Sequence, residues 1–470
     1  MSSEWRVTKI EEIAAPFSTA LATGPFGSAI SSKYFVDSGV PVIRGSNLSA
    51  DASTRLIDAD LVFVSQEKAS EFQRSVATRG DLVFTCWGTI NQVGLIDGRS
   101  KFESYIVSNK QMKLTVDPVK ADHRFIYYVF SGPVKQSEIL DNGIGSSVPG
   151  FNLGQLRQHE VLLPPLEEQK RIADFLETLD DRIVLLRETN ATLEAVAQAL
   201  FKSWFVDFDP VRAKAEGRQP EGMDAATAAL FPDSFEESEM GLLPKGWNMV
   251  PFGELLTHTI GGDWGNESPN ETNDTRVAII RGTDIPDLKF GAANRVPVRY
   301  TSSKKLSTRK LQDGDLVLEV SGGSKEQPTG RALYLTDQLL RQFDCPVEPA
   351  SFCRLLRPVS RDIGVLLAQQ LTYIYSIGKT WEYQNQSTGI ANFQTGHFLE
   401  NELVAVPSSE VLAAFSAIVR SIVDRVHQSH TRELTQLRDT LLPRLISGQL
   451  RLPKAGAVVA GDTQACIGVY

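Results

Sequence analysis

Apolar residues recur at alternating steps of four and three along one stretch: Ile172, Leu176, Leu179, Ile183, Leu186, Asn190, Leu193, Ala197, Leu200 and Trp204. This is a heptad seam held for more than four heptads, and it predicts a long helix that needs a partner helix along its length. Asn190 is the only polar member, and a lone Asn in such a seam fixes register at some cost in stability. A second stretch offers Phe415, Val419, Ile422 and Val426 in the same phase, slips by one residue, and resumes at Leu434, Leu437 and Leu441. Each seam needs a partner and the chain supplies two, so the two helices are expected to pair with each other.

Elsewhere the pattern is shorter. "VIRG" (from Val42), "DLVFV" (from Asp60), "GDLVF" (from Gly80) and "QVGLI" (from Gln92) are brief apolar runs bounded by Gly, Asp and Asn. Such runs, rich in Val, Ile and Phe, read as strands. "HRFIYYVFSGPVK" (His123–Lys135) and "IGVLLAQQLTYIYS" (Ile363–Ser376) have helical length and periodicity. Each large block is therefore expected to be a mixed α/β domain.

The same landmarks occur twice. Trp5 matches Trp247, "GPFG" (Gly24–Gly27) matches "GDWG" (Gly262–Gly265), and "VIRGSNL" (Val42–Leu48) matches "IIRGTDI" (Ile279–Ile285). "GDLVF" matches "GDLVL" (Gly314–Leu318), and "EVLLPP" (Glu160–Pro165) matches "ELVAVP" (Glu402–Pro407). A helix with "DRI" or "DRV" then follows each. Offsets stay between 234 and 243 residues, and six landmarks in one order mark an internal duplication: block, helix, block, helix. The expected segments are blocks at 1–165 and 247–407, helices at 166–210 and 408–452, a linker at 211–246 and a tail at 453–470.

Composition narrows the class. With 42% hydrophobic residues the chain can bury real cores, and no apolar run reaches the ~18 residues that span a bilayer. The start lacks a signal-peptide pattern, and the four cysteines form no C-x-x-C pair, so a cytoplasmic protein is expected. The net charge of −9 argues against a polyanion partner until it is located: residues 166–246 carry nine basic against seventeen acidic side chains, and both blocks are nearly neutral. Charge therefore permits nucleic-acid binding by the blocks without indicating it. There is no G-x-x-x-x-G-K-[ST] loop, no H-E-x-x-H and no completed metal site; His427 and His430 share a helical face with nothing to join them. Carboxylate pairs such as Asp180–Asp181 read as a solvated helix face.

The repeated plan, together with "LPPLEEQKRIADFLETLDDRI", "ALFKSWFVDFDPVRAK", "ALFPDSFEESEMGLLPKGW" and "LRDTLLPRLISGQL", resembles the specificity subunit of Type I restriction–modification systems. The resemblance covers residues 5–452 and leaves the tail after Arg451 without a counterpart. It implies an α+β fold: two target-recognition domains joined by two long helices packed as an antiparallel coiled coil. It implies double-stranded DNA as ligand, with a bipartite site read one half per domain. The implied partners are methyltransferase subunits, two of them, and restriction (nuclease-translocase) subunits, with no membrane. S-adenosylmethionine, ATP and Mg would sit on those partners, and this chain would bind no cofactor and catalyse nothing. The second helix departs from the pattern, reading "PSSEVLAAF" where the first reads "PPLEEQKRI". That bears on whether both helices hold partners equally. The residues alone leave two rivals open, a methyltransferase with fused recognition domains and a two-block protein-binding adaptor.

The halves agree on scaffold and diverge in loops, which is where two readers of different sequences should differ. "TCWGTINQ" (Thr85–Gln92) and "EVSGGSKEQPT" (Glu319–Thr329) lie between paired strands. Asn and Gln suit adenine in the major groove, and Lys suits guanine, so Thr89, Asn91, Gln92, Lys325 and Gln327 are candidate base contacts. Lys33, Lys304, Lys305, Arg309 and Lys310 are candidate phosphate contacts, with a solvated charge run as the plainer alternative. Arg44 and Arg281 hold matching places, which fits a scaffold or backbone role. Phe201, Trp204, Phe205 and Phe208 put more rings at one helix end than a paired helix needs, and are candidate partner-docking residues; internal packing is their alternative.

Overall fold

The computed structural model describes residues 5–144, 150–238, 241–293, 295–323, 327–387, 390–428 and 430–453. The candidate Lys325 and the tail from residue 454 fall outside them. The chain forms two compact units. One takes the residues up to Leu185 together with those from Leu434 onward, and the other is Leu186–Glu433.

In the first unit, Arg6–Lys9 pairs antiparallel with Glu160–Leu163, closing the block at the foot of the helix. A four-stranded antiparallel sheet runs in the order Leu21–Thr23, Gln111–Thr115, Asp81–Thr85, Val93–Leu95. A five-stranded sheet contains one parallel pair, Val40–Ile43 beside Ser104–Val107. The helical pattern from His123 becomes two helices, His123–Ser131 and Pro133–Asp141, because Pro133 cannot continue the first.

The second unit repeats this skeleton. Asn248–Pro251 pairs with Leu403–Val406. Leu256–Gly261, Cys353–Pro358, Leu316–Glu319 and Ala332–Tyr334 form the four-stranded sheet. Thr275–Ile280 and Val347–Pro349 supply the parallel pair. Its long helix is Arg361–Ser376.

The central helix is continuous from Leu166 to Phe205, 40 residues, with Glu167 and Glu168 in its first turn where the helix dipole favours acids. The distal helix is two helices, Ser409–Val426 and His430–Ile446; the one-residue slip in the seam marks the interruption. Ser408 caps the first of these by accepting from the Val411 N–H at 3.4 Å. Within the first unit, Ile172 and Leu176 share a core with Leu445 and Leu442, while Asp180 meets Arg438. Rising numbers on one helix thus meet falling numbers on the other. Within the second unit, Phe201 and Phe205 pack on Phe415. Asn190 is buried in its seam position.

Two expectations change here. Leu437 is exposed, and Arg438, Leu442 and Leu445 face inward instead. Asp180 is fully buried: its carboxylate accepts from Arg438 Nη1 at 2.8 Å and from the Tyr128 hydroxyl at 2.6 Å. Only Asp181 lies on the solvated face. The ion network continues through Arg55, which donates to Tyr128 at 3.2 Å, Asp97 at 2.8 Å and Glu177 at 2.7 Å.

Candidate DNA-reading clefts

Each unit carries a cleft at the same place in the repeat, where the ends of the four-stranded sheet meet the loop that follows the parallel strand. In the first unit Asp81–Thr85 and Val93–Leu95 pair so that the Thr85 N–H donates to Gln92 O at 3.2 Å. In the second, Leu316–Glu319 and Ala332–Tyr334 pair in the same register, and the Glu319 N–H donates to Arg331 O at 2.8 Å. Thr85 and Glu319 are thus equivalent, as are Gln92 and Arg331. Arg44 and Arg281 stand on the opposite wall, each opening a short 3-10 turn. Their N–H groups are taken by Asn47 Oδ1 and Asp284 Oδ2, both at 2.9 Å.

The first cleft encloses about 640 Å³ and is lined by Arg44, Thr85, Trp87, Thr89, Gln92 and Gln111 among others. Unspent hydrogen-bonding capacity gathers there: Arg44 Nε, Thr85 Oγ1 and Gln111 Nε2 are buried without a partner among the described residues. Buried polar atoms are ordinarily paired, so three such atoms around one cleft make it a candidate recognition site. The second cleft, about 750 Å³, is lined by Trp264, Arg281, Glu319, Gln327, Arg331 and Phe352 among others. It differs in kind: Glu319 and Arg331 form an ion pair, and the rings of Trp264 and Phe352 are exposed.

Residues 3–195 match the family model described as "Type I restriction modification DNA specificity domain". The chain is 25% identical over 400 residues to the Type I restriction enzyme HindI specificity subunit of Haemophilus influenzae, covering 74% of this chain and 82% of that one. It is 22% identical to the MjaIX specificity subunit of Methanocaldococcus jannaschii, covering 83% and 82%. The solved S subunit of a Type I system from M. genitalium shares the fold, with a TM-score of 0.54 over 94% of this chain and 96% of that one at 14% identity. Over most of its length, then, this chain is similar to Type I specificity subunits.

Thr89 and Gln92 line the first cleft and Gln327 the second. Asn91 is half-buried beside the first cleft and off its wall. Arg331 and Glu319, the ion pair on the wall of the second cleft, lie outside the candidates drawn from the sequence. Aligning the strands after the divergent loops, which sets Gln92 against Arg331, is the signal that finds them.

The basic candidates divide. Lys33 is exposed in the short turn between Ile30 and Phe35, two residues of the first cleft. Lys304 and Lys310 are exposed at the helix Ser303–Arg309. Lys305 is paired with Asp263 at 3.0 Å, and Arg309 Nε donates to Gly261 O at 3.0 Å. Both therefore brace the loop that presents Trp264.

The ring cluster offered for partner docking packs internally, the alternative given for it. Phe201, Trp204 and Phe205 are buried, and Phe208 is half-buried. Phe205 meets Phe415 at 4.7 Å, Trp204 meets Phe231 at 4.8 Å, and Phe208 meets Trp247 at 5.8 Å between ring centroids. The rings are covered because Val211, Phe231 and Leu243, from the stretch after the helix, turn inward as core. Among the described residues no helix is long and apolar enough to cross a membrane, and no His, Cys, Asp and Glu cluster could hold a metal ion. His427 is buried, with its pKa lowered to about 4 by burial and by Lys289, and its Nδ1 lies 2.9 Å from Thr336 Oγ1.

Proposed function

We propose that this chain is the DNA-recognition subunit of a Type I restriction–modification complex, reading a bipartite site with one cleft per unit. One observation supports this above the others: the same backbone site is built twice and furnished with different side chains, a hydroxyl and an amide in one, an ion pair in the other. A duplicated reader of two different half-sites needs that combination. The reading assigns methyl transfer to methyltransferase subunits, two per complex, and cleavage with translocation to restriction subunits. S-adenosylmethionine, ATP and Mg belong to those partners, and this chain contributes no catalytic group.

The test is methylation of a random-sequence DNA pool by the purified chain, by its methyltransferase partner, and by both together. Modification at one bipartite motif is expected only from the combination. Methyl transfer by the chain alone would support the fused-enzyme rival, and sequence-blind methylation by the combination would support the adaptor. Alanine at both Asn91 and Gln92 should relax the half-site read by the first unit, at roughly 1–3 kcal/mol per misread base pair. An unaltered motif would remove that loop from the interface.

A further inference from the structure

We propose that Arg331 reads a guanine in the half-site taken by the second unit, and that Glu319 is the positioning residue that aims it. This rests on the DNA-reading function proposed above. Arg331 Nε donates to Glu319 Oε2 at 2.8 Å, and Nη2 donates to Oε1. The carboxylate occupies the Nε/Nη2 edge of the guanidinium, which has five N–H donors in a rigid plane. The other edge, Nη1 with the second Nη2 hydrogen, is taken by no described residue.

Glu319 is itself closely enclosed. It is buried at the strand end, and a Cβ on Gly282 would come within 2.3 Å of its Oε1, with one on Gly322 at 2.8 Å. The two glycines leave the space that the carboxylate fills, and from there it holds the arginine by two hydrogen bonds. Its charge is spent on Arg331, which leaves the arginine edge as the group offered to a ligand in the cleft.

That edge presents two parallel donors. Guanine offers two acceptors, O6 and N7, on its major-groove edge, whereas adenine opposes one donor with its own N6 amino group. An arginine held from behind by a carboxylate keeps this fork without reorienting, so little rotamer freedom is lost on binding. The first unit carries Gln92 at the same place, whose amide can turn one N–H donor and one carbonyl acceptor toward a single base edge. The two clefts are thereby set for different bases.

The experiment uses the complex of this chain with its methyltransferase, on duplexes carrying the methylated motif. The half-site of the second unit is assigned by exchanging the first block, and each of its base pairs is then substituted singly while Kd is measured. The parent complex should lose affinity at one G·C pair by between about 5-fold and about 150-fold. In Arg331→Gln that ratio should fall toward one while the ratios at the other positions hold. Arg331→Lys keeps the charge and loses the fork, so it should reduce the same ratio, and it serves if the Gln variant fails to assemble. Glu319→Gln should weaken the ratio and keep guanine preferred. Unchanged ratios in either Arg331 variant, an equal loss at every position, or a half-site with no G·C dependence would each overturn the assignment. A parent complex that prefers no sequence would instead overturn the DNA-reading function.

Discussion

Glu348 lies in the strand Val347–Pro349, fully enclosed, and neither carboxylate oxygen finds a hydrogen-bond partner among the described residues. Burial, aided by Asp263, pushes its pKa up from 4.5 to about 7, against the pull of Arg309 and Lys305. The folded chain keeps this proton to about pH 7, while the unfolded chain releases it near 4.5. The group's contribution to stability is therefore whole below that lower value. It is lost as pH rises to about 7, leaving a deficit on the order of 3 kcal/mol at higher pH. Glu348→Gln should abolish this fall, so urea unfolding at pH 5 and pH 8 should show a smaller difference in the variant than in the parent. Equal differences in both would mean that Glu348 is ionised in the fold. Phe205 supplies a second prediction at this scale. Alanine there should cost about 3–5 kcal/mol and reduce soluble protein, with methyltransferase bound per folded chain unchanged. A variant that folds fully but fails to hold its partner would restore the docking role. The rings were legible as a cluster, but their cover was not: residues 211–246 look like an acidic linker until Phe231 and Leu243 are seen to turn inward.

The helices show how much a periodic pattern determines. The seam from Ile172 to Trp204 matches the buried face of a helix whose start is set by Pro164 and Pro165, and the one-residue slip located the break near His427. What the pattern missed is the charged contact inside it. Asp180 stands four residues after Leu176 and three before Ile183, so it occupies a seam-facing position that its chemistry disguised. Arg438 was hidden likewise, one residue from the exposed Leu437. A buried ion pair costs most when half of it is removed, so Arg438→Ala should destabilise the first unit by about 3–5 kcal/mol, leaving Asp180 and Tyr128 facing a gap. Replacing both Arg438 and Asp180 with apolar residues of similar volume should cost much less. Denaturant midpoints of the single and double variants check this; a double variant as unstable as Arg438→Ala would show that the wider network through Arg55 matters more than the pair.

For the whole molecule, the proposed two-reader function makes recognition modular. Exchanging residues 1–165 for the corresponding block of a Type I specificity subunit should replace one half-site and leave the other intact, read from the methylated motif. Simultaneous change of both half-sites would end the two-reader account. Such a graft must keep a hydroxyl at Tyr128 and a cation at Arg55, since both reach residues of the retained helices, Asp180 and Glu177. The duplication itself was legible because it rests on ordered landmarks. The clefts were not, because their walls come from four separate segments whose meeting depends on strand register. One consequence concerns the order of events during synthesis. The first unit is interrupted in sequence, since Leu442, Leu445 and Arg438 complete the core around Ile172, Leu176 and Asp180. At ~5–20 residues per second, a ribosome takes roughly 12–50 s to travel from Leu185 to Leu434. The second unit, contiguous from Leu186 to Glu433, can therefore close first. Meanwhile the nascent first unit waits with an apolar stripe and an unmatched carboxylate exposed to chaperones.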